Sequence, residues 1–364
     1  MDYINTTLSN QPFADLPSFH YQYDYGDSTD STLESSPGQF GIIVANALTM
    51  IFICTGNVFT IVAVCVTPDL RTRCNMYTVS LAVADFFTGL IIPFYSSDLY
   101  PPFQEALDDH KYVCLIRYVF LFTFVSNSVL TMIAISVDRY IFIKYPLHYS
   151  TKCRVATVAA IIAGTWILSF AIGTVPLYYN LWNKNRQCQT FQLLPANYRQ
   201  FTLCPLYLLC CLITAVIYGL LIREAIPQQR RDSQWQLFHH DKMSWWNRNK
   251  IKSIKMFMLV FGIFFVCWTP SFLIILIGYG TSVNPKLIKA FMVLGYLNSG
   301  MNFVIYAFKD RKFLNAFKSF VGMKRKSAKQ STKENFVFSI DGSSKDSFEG
   351  RFQNDDPREA RWKF

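Results

Sequence analysis

The sequence predicts an all-α membrane protein: a bundle of seven transmembrane helices followed by a short amphipathic eighth helix. Three observations lead there. Of 364 residues, 51% are hydrophobic and only 16% are charged, less charge than a soluble domain of this size carries. Seven apolar stretches, near 40–66, 76–96, 113–143, 154–177, 200–225, 252–278 and 286–306, are each long enough to cross about 30 Å of hydrocarbon as a helix. Lys and Arg concentrate in alternate connections, as they do when one side of a bilayer retains positive charge. A soluble helical core would instead leave each helix a polar face.

The elements follow in order. Residues 1–38 contain six acids and no Lys or Arg, and their polar composition predicts a disordered extracellular segment. They show no basic start and apolar run, so no signal peptide is expected. Asn5-Thr6-Thr7 is a glycosylation acceptor sequence, read beside the alternative of an unused match. Tyr21, Tyr23 and Tyr25 among Asp24 and Asp27 read either as a sulfation patch for a basic ligand or as a solvated acidic tail. The first Lys or Arg is Arg71, in the 67–75 loop, and basic residues recur in the 144–153 loop, the 226–251 loop and the tail. By the positive-inside rule the N-terminus lies outside and the C-terminus inside, in a multi-pass plasma-membrane protein. The formal charge of +11 is then a cytoplasmic excess and not a nucleic-acid footprint.

The third stretch ends in Asp138-Arg139-Tyr140, twenty-four residues after Cys114. A charged pair at a membrane edge is costly unless it is used, so this motif reads as part of a signalling switch. Most of the ten cysteines lie in or beside spans, where they pack as small apolar residues. Cys114 and Cys188 fall on the outside, where oxidation is allowed; a bridge between them would pin the 178–199 loop to the third span. No metal-ligand spacing and no phosphate-binding loop occurs, so no enzyme activity and no cofactor are expected. After the seventh stretch, 307–322 carries Phe313 and Phe317 four residues apart among basic residues, the pattern of a helix lying on the inner membrane surface. Residues 323–364 are polar and Ser/Thr-bearing, a cytoplasmic tail read as phosphorylatable or merely disordered. The domain plan is therefore 1–38, a transmembrane domain over 39–306, the surface helix over 307–322, and the tail.

Taken in order, the spans carry Gly56-Asn57, Leu81-Ala82-Val83-Ala84-Asp85, Cys114 with Asp138-Arg139-Tyr140, Trp166 and Pro176, Phe264 with Cys267-Trp268-Thr269-Pro270, and Asn298-Ser299 with Asn302 through Tyr306. This ordered set resembles the rhodopsin-like (class A) G-protein-coupled receptors over roughly residues 40–320. The resemblance implies an extracellular ligand and heterotrimeric G proteins as partners, with arrestin and a receptor kinase acting through the tail. Switch roles fall on Asp138, Arg139, Tyr140, Tyr218, Phe264, Trp268, Pro270, Asn302 and Tyr306. In that reading Trp268 lies under the ligand, Phe264 packs on Val129, and Arg139 pairs with Asp138 at rest and meets the G protein when the sixth span swings out. Asp85, Ser128, Asn298, Ser299 and Asn302 resemble the family's allosteric sodium pocket, with a protonated, hydrogen-bonded Asp85 as the other reading of the residues. The ligand would be lined by Leu121, Phe122, Val125, Ser126, Phe191, Ser271, Phe272, Ile275, Met292 and Tyr296.

The departures from the family pattern are equally specific. Leu121 replaces the acid that amine receptors use, and Tyr296 the lysine that carries retinal. The second outside loop, through Pro195-Ala196-Asn197-Tyr198, is similar to adenosine receptors, yet Ile275, Gly295 and Tyr296 replace the contacts those receptors make. The expected ligand is therefore an uncharged, flat or lipid-like small molecule. Lys250 stands where many relatives place an acid, which predicts basal activity. Phe303 replaces a proline in the seventh span, and Cys210 one in the fifth, which leaves Pro205 a turn earlier. Two alternatives follow: a non-coupling scavenger or partner subunit, motivated by the two lost prolines, and a peptide receptor using the acidic N-terminus. A transporter is disfavoured because Asp85 is the one strong buried charge and no inverted repeat is visible.

Overall fold

The computed structural model describes residues 37–95, 101–145, 149, 154–183, 188, 193–236, 243–277 and 285–320. These residues form helices α1 (Pro37–Val66), α2 (Arg73–Tyr95), α3 (Pro101–Asp109), α4 (Lys111–Lys144), α5 (Val155–Gly173), α6 (Cys204–Gln236), α7 (Met243–Ile277), α8 (Pro285–Lys309) and α9 (Arg311–Phe320). Seven of them, α1, α2 and α4 to α8, are long and apolar enough to cross a membrane. The predicted seven-helix bundle is thus the observed one, and α3 is an addition that the sequence reading did not anticipate. Asn5, the N-terminal tyrosines, Phe191 and the Ser/Thr residues of 323–364 lie outside the described residues.

The bundle is organised around α4, which packs against α2, α5, α6 and α7, while α1 closes the side between α2 and α8. Exposed Leu, Ile, Val and Phe side chains run along α1, α5 and α6, as expected of helices whose outer faces meet lipid tails. The helices reach one another closely because small residues stand at the crossings. At Gly173 a Cβ would lie 1.9 Å from Thr123 Oγ1 and 2.8 Å from the Val119 carbonyl, so α5 meets α4 at a point where only glycine fits.

Local chemistry closes the turns. Pro68 opens a single 3₁₀ turn between α1 and α2. Arg71 donates Nε to the Cys65 carbonyl at 3.0 Å, satisfying the end of α1 where the helix dipole favours a cation. Asn75 Nδ2 donates to the Leu70 carbonyl at 2.7 Å. Asp310 accepts the Lys312 N–H at 2.7 Å and so caps α9. Helix α9 buries Phe313 and Ala316 against the bundle.

The fifth span reports the fate of its displaced proline. A π turn, Arg199–Leu203, precedes α6, and Pro205 sits in the first turn after it. An irregular turn of backbone thus stands at the start of the fifth span, beside the displaced proline. In the seventh span the proline is gone, and α8 runs unbroken from Pro285 to Lys309 through Phe303.

Candidate functional site

At one end of α4 the Asp138-Arg139-Tyr140 motif is assembled. Arg139 donates Nη2 to Asp138 Oδ2 at 2.6 Å and Nε to the same oxygen at 3.2 Å. This is the one salt bridge found among the described residues, and both side chains are buried. The guanidinium also lies 5.2 Å from the centre of the Phe142 ring, a favourable cation–π distance. The second Asp138 oxygen accepts from Tyr149 at 3.0 Å, and the Tyr149 ring meets Phe142 edge-on at 5.0 Å. Tyr149 was missed in the sequence because nothing in a loop tyrosine announces its partner. Tyr140 turns away, its hydroxyl accepting from Lys144 at 2.7 Å. Tyr218 of α6 is buried and ring-packed on Phe261 of α7 at 5.9 Å. Lys250 belongs to α7, but its side chain lies outside the described residues.

Loss of the Tyr149 hydroxyl should loosen this resting arrangement. A hydrogen bond to a charged group is worth about 1.5 kcal/mol, discounted here because Tyr149 is half-exposed. Tyr149→Phe is therefore expected to raise ligand-independent output about threefold at equal surface level, measured as second-messenger signal per receptor; output at or below wild type would show that this bond does not restrain Arg139.

In the middle of the bundle Asp85 is fully buried. Ser128 Oγ donates to its Oδ1 at 3.0 Å and Asn302 Nδ2 to its Oδ2 at 2.7 Å. Ser299 is buried beside the same carboxylate. Asn57 Nδ2 bridges the Ile53 and Ser299 carbonyls at 2.9 and 3.1 Å, tying α1 to α8 beside this cluster. Asn298 is buried with its Oδ1 lacking any donor among the described residues. A buried carboxylate with serine hydroxyls beside it offers oxygens suited to a hard cation such as sodium. Of the residues named from the sequence, Ser128 and Asn302 are bonded to Asp85, while Asn298 lies on the same helix as Asn302 with a spare amide oxygen.

Toward the disulfide end, Trp268 forms the floor of an aromatic group. Its ring meets Tyr296 edge-on at 6.3 Å and Phe272 at 6.3 Å. Gly295 lets it sit there: a Cβ at that position would lie 3.1 Å from the indole. Pro270 lies two residues further along α7, where it removes a backbone donor and favours a bend. Tyr207 stacks on Phe272 at 3.9 Å and lies 6.1 Å from Phe264. Leu121, Trp268 and Tyr296 share one core, against which Val125, Val129, Phe272 and Met292 pack. Phe122 belongs instead to a second cluster with Cys114, Tyr118, Cys188 and Leu193. Ser126 is half-buried on α4. Ser271 spends its hydroxyl on the Phe291 carbonyl at 3.0 Å, so it offers a ligand less than its position suggested.

Several residues of this region escaped the sequence reading. Gln200 Nε2, Cys204 Sγ and the Tyr207 hydroxyl donate to the carbonyls of Ile275, Phe272 and Phe265 at 3.2, 3.7 and 3.4 Å. Tyr207 also bonds Thr269 Oγ1 at 2.8 Å. One seam of α6 and α7 is thus stitched side chain to backbone. Above it, Cys114 and Cys188 form the disulfide. Arg117, one turn from Leu121, is buried there. It donates to the Phe94 carbonyl at 2.8 Å, to the Tyr118 hydroxyl at 3.2 Å and to the Cys188 carbonyl. Asp108 of α3 accepts the Cys188 N–H and the Gln104 amide. An Arg four residues from the start of an apolar span was the available signal; the pocket region expected to be free of charge has this cation at its edge.

Comparison with known proteins agrees with this architecture. The family model described as 7 transmembrane receptor (rhodopsin family) matches residues 56–306. The adenosine receptor A2b of Mus musculus is 30% identical over 295 residues, covering 72% of this chain and 84% of its own length. The A2b receptor of Bos taurus is 29% identical over 290 residues, with 72% and 84% covered. The adenosine receptor A2a of Homo sapiens is 28% identical over 288 residues, with 73% and 68% covered.

Proposed function

Since the chain belongs to the rhodopsin family of seven-transmembrane receptors, and is a multi-pass plasma-membrane receptor, we propose that it binds an extracellular, uncharged, flat or lipid-like small molecule and activates heterotrimeric G proteins. The observation that carries this reading is the buried Arg139, paired with Asp138 at the end of the central helix beside Tyr218 and α7. A cation held there by one carboxylate and one aromatic face is available to a new partner once α7 moves, a population shift between two packings that needs no covalent chemistry. In this reading the disulfide end and N-terminus face outward. The Arg139 end and the tail face the cytoplasm, where arrestin and a receptor kinase act on the tail.

The ligand class rests on the body around Trp268, which is apolar and aromatic, with Tyr296 buried in it. The adenosine receptors among the relatives make adenosine the first compound to try, although Ile275 and Tyr296 argue for a less polar ligand. The direct test is nucleotide exchange on a panel of purified G-protein heterotrimers by receptor in lipid nanodiscs, with adenosine and a lipid library added in turn. Exchange above empty discs supports coupling; none with any heterotrimer, ligand or not, supports the non-coupling reading that Phe303 motivates.

The Asp85 cluster would hold sodium with Ser128, Ser299, Asn298 and Asn302, and the ion would supply the counter-charge that a buried carboxylate lacks. Replacing choline by sodium should raise the thermal midpoint of the wild-type receptor by a few degrees, on the order of 1 kcal/mol of linkage. Asp85→Asn should abolish the difference. A variant that keeps the sodium effect would show that the ion sits elsewhere.

A further inference from the structure

Phe303 has a specific seat. A Cβ on Gly56 of α1 would lie 2.9 Å from Cγ and Cδ1 of the Phe303 side chain, so the ring rests directly on glycine backbone. From that seat it reaches Phe317 of α9 at 5.0 Å and Phe59 of α1 at 6.4 Å between ring centres. Phe59 stacks on Phe320 at 6.3 Å. Phe317 meets Phe313 at 5.9 Å, and Phe313 stacks on Tyr306 at 5.4 Å. Six rings thus join α1, α8 and α9, and Phe303 stands between the two parts of the group.

The sequence makes this arrangement more than incidental packing. Phe313, Phe317 and Phe320 lie at i, i+4 and i+7 of α9, one face of a helix. Helix α9 itself contains no cysteine, and its apolar face is built from these aromatic rings. A proline at 303 would be too short to bridge Gly56 and Phe317, and would take its N–H out of the helix ladder. Phenylalanine keeps α8 continuous and supplies the contact.

We propose that Phe303 is a positioning residue that fastens the surface helix α9 to the bundle from within, and through Phe317 and Phe313 holds Tyr306 where it is seen. The ring on Gly56 is the fixed point: it can neither advance into α1 nor withdraw without parting from Phe317.

Hydrogen exchange of the full-length receptor in nanodiscs tests this, without ligand or G protein, so its outcome is independent of whether the receptor couples. In Phe303→Ala, exchange across 311–320 should rise about tenfold while α4 and α7 keep wild-type protection. Phe303→Leu, a milder change should the alanine variant fail to fold, should give about a threefold rise. Gly56→Ala, which pushes the ring off its seat, should match Phe303→Ala, and Gly56→Ala combined with Phe303→Leu should recover protection because the added methyl fills the space of the lost ring edge. Unchanged exchange at 311–320 in the single variants would overturn the proposal, as would a rise spread equally over all spans or a double variant looser than both singles.

Discussion

Arg139→Ala is expected to lower ligand-independent output by about tenfold or more while the receptor still reaches the cell surface. The reasoning is electrostatic. Arg139 is buried, shares two hydrogen bonds with one Asp138 oxygen and lies over Phe142. In the proposed active packing its guanidinium leaves that carboxylate for acceptors on the G protein, and alanine has nothing to offer them. Removing one member of a buried pair ordinarily costs about 3–5 kcal/mol because the other charge is stranded. Here Asp138 keeps the Tyr149 hydroxyl at 3.0 Å and stands at the membrane edge, so the cost should be smaller. Arg139→Gln, which retains donors for Asp138 but not the charge, separates the two effects. Both variants should lose output; a midpoint near wild type in the glutamine variant would assign the loss to coupling and not to folding. Output preserved in both would remove Arg139 from the switch.

The largest purely structural effect is expected at Gly173. Adding one methyl there meets Thr123 Oγ1 at 1.9 Å, the Val119 carbonyl at 2.8 Å and the Thr123 nitrogen at 2.9 Å. Two of those three atoms are backbone, and the third belongs to a β-branched side chain with little freedom to turn. Gly173→Ala should therefore force α5 away from the central helix, costing about 3 kcal/mol and lowering the thermal midpoint by about 5–10 °C. Thr123→Ala should recover part of the loss, since the hydroxyl it deletes has no hydrogen-bond partner among the described residues. Surface expression and midpoint of the single and double variants check this. A Gly173→Ala receptor as stable as wild type would mean that α5 approaches α4 less closely than described.

Much of the architecture was legible in the sequence because a bilayer leaves few choices. Backbone polar groups must bond within a helix, so each apolar stretch long enough to cross announced one; most ends agree to within four residues, while α6 runs eleven residues past the expected 225 and α7 begins nine before the expected 252. At the Asp85 cluster the carboxylate is conspicuous among leucines, whereas Ser128 and Asn302, which bond it, were named only through the family resemblance. What stayed hidden depends on geometry between elements. Tyr149 lies beyond the end of α4 at Lys144, and nothing in its residue type announces Asp138 as its partner. The Gln200, Cys204 and Tyr207 stitches bond to backbone carbonyls, which have no residue type and so leave no trace in a sequence. Helix α3 is short and lies outside the spans; only its contact with Leu115 and Cys188 makes Leu107 part of a core. The apolar ligand lining was judged from single positions, which missed both Arg117 nearby and the carbonyl that occupies Ser271.

The stitched seam between α6 and α7 also has a mechanical meaning. Its bonds end at Phe265 and Thr269, all in the disulfide half of the bundle. Helix α7 continues from there to Met243, about 22 residues or about 33 Å of rod beyond the last stitch at Phe265. A rod clamped at one end is a lever with unequal arms. A rotation of about 10° at the clamp, too small to break any of the stitches, would sweep the far tip through about 6 Å. On the proposed function, the disulfide half can thus stay nearly still while the whole displacement is delivered at the opposite face.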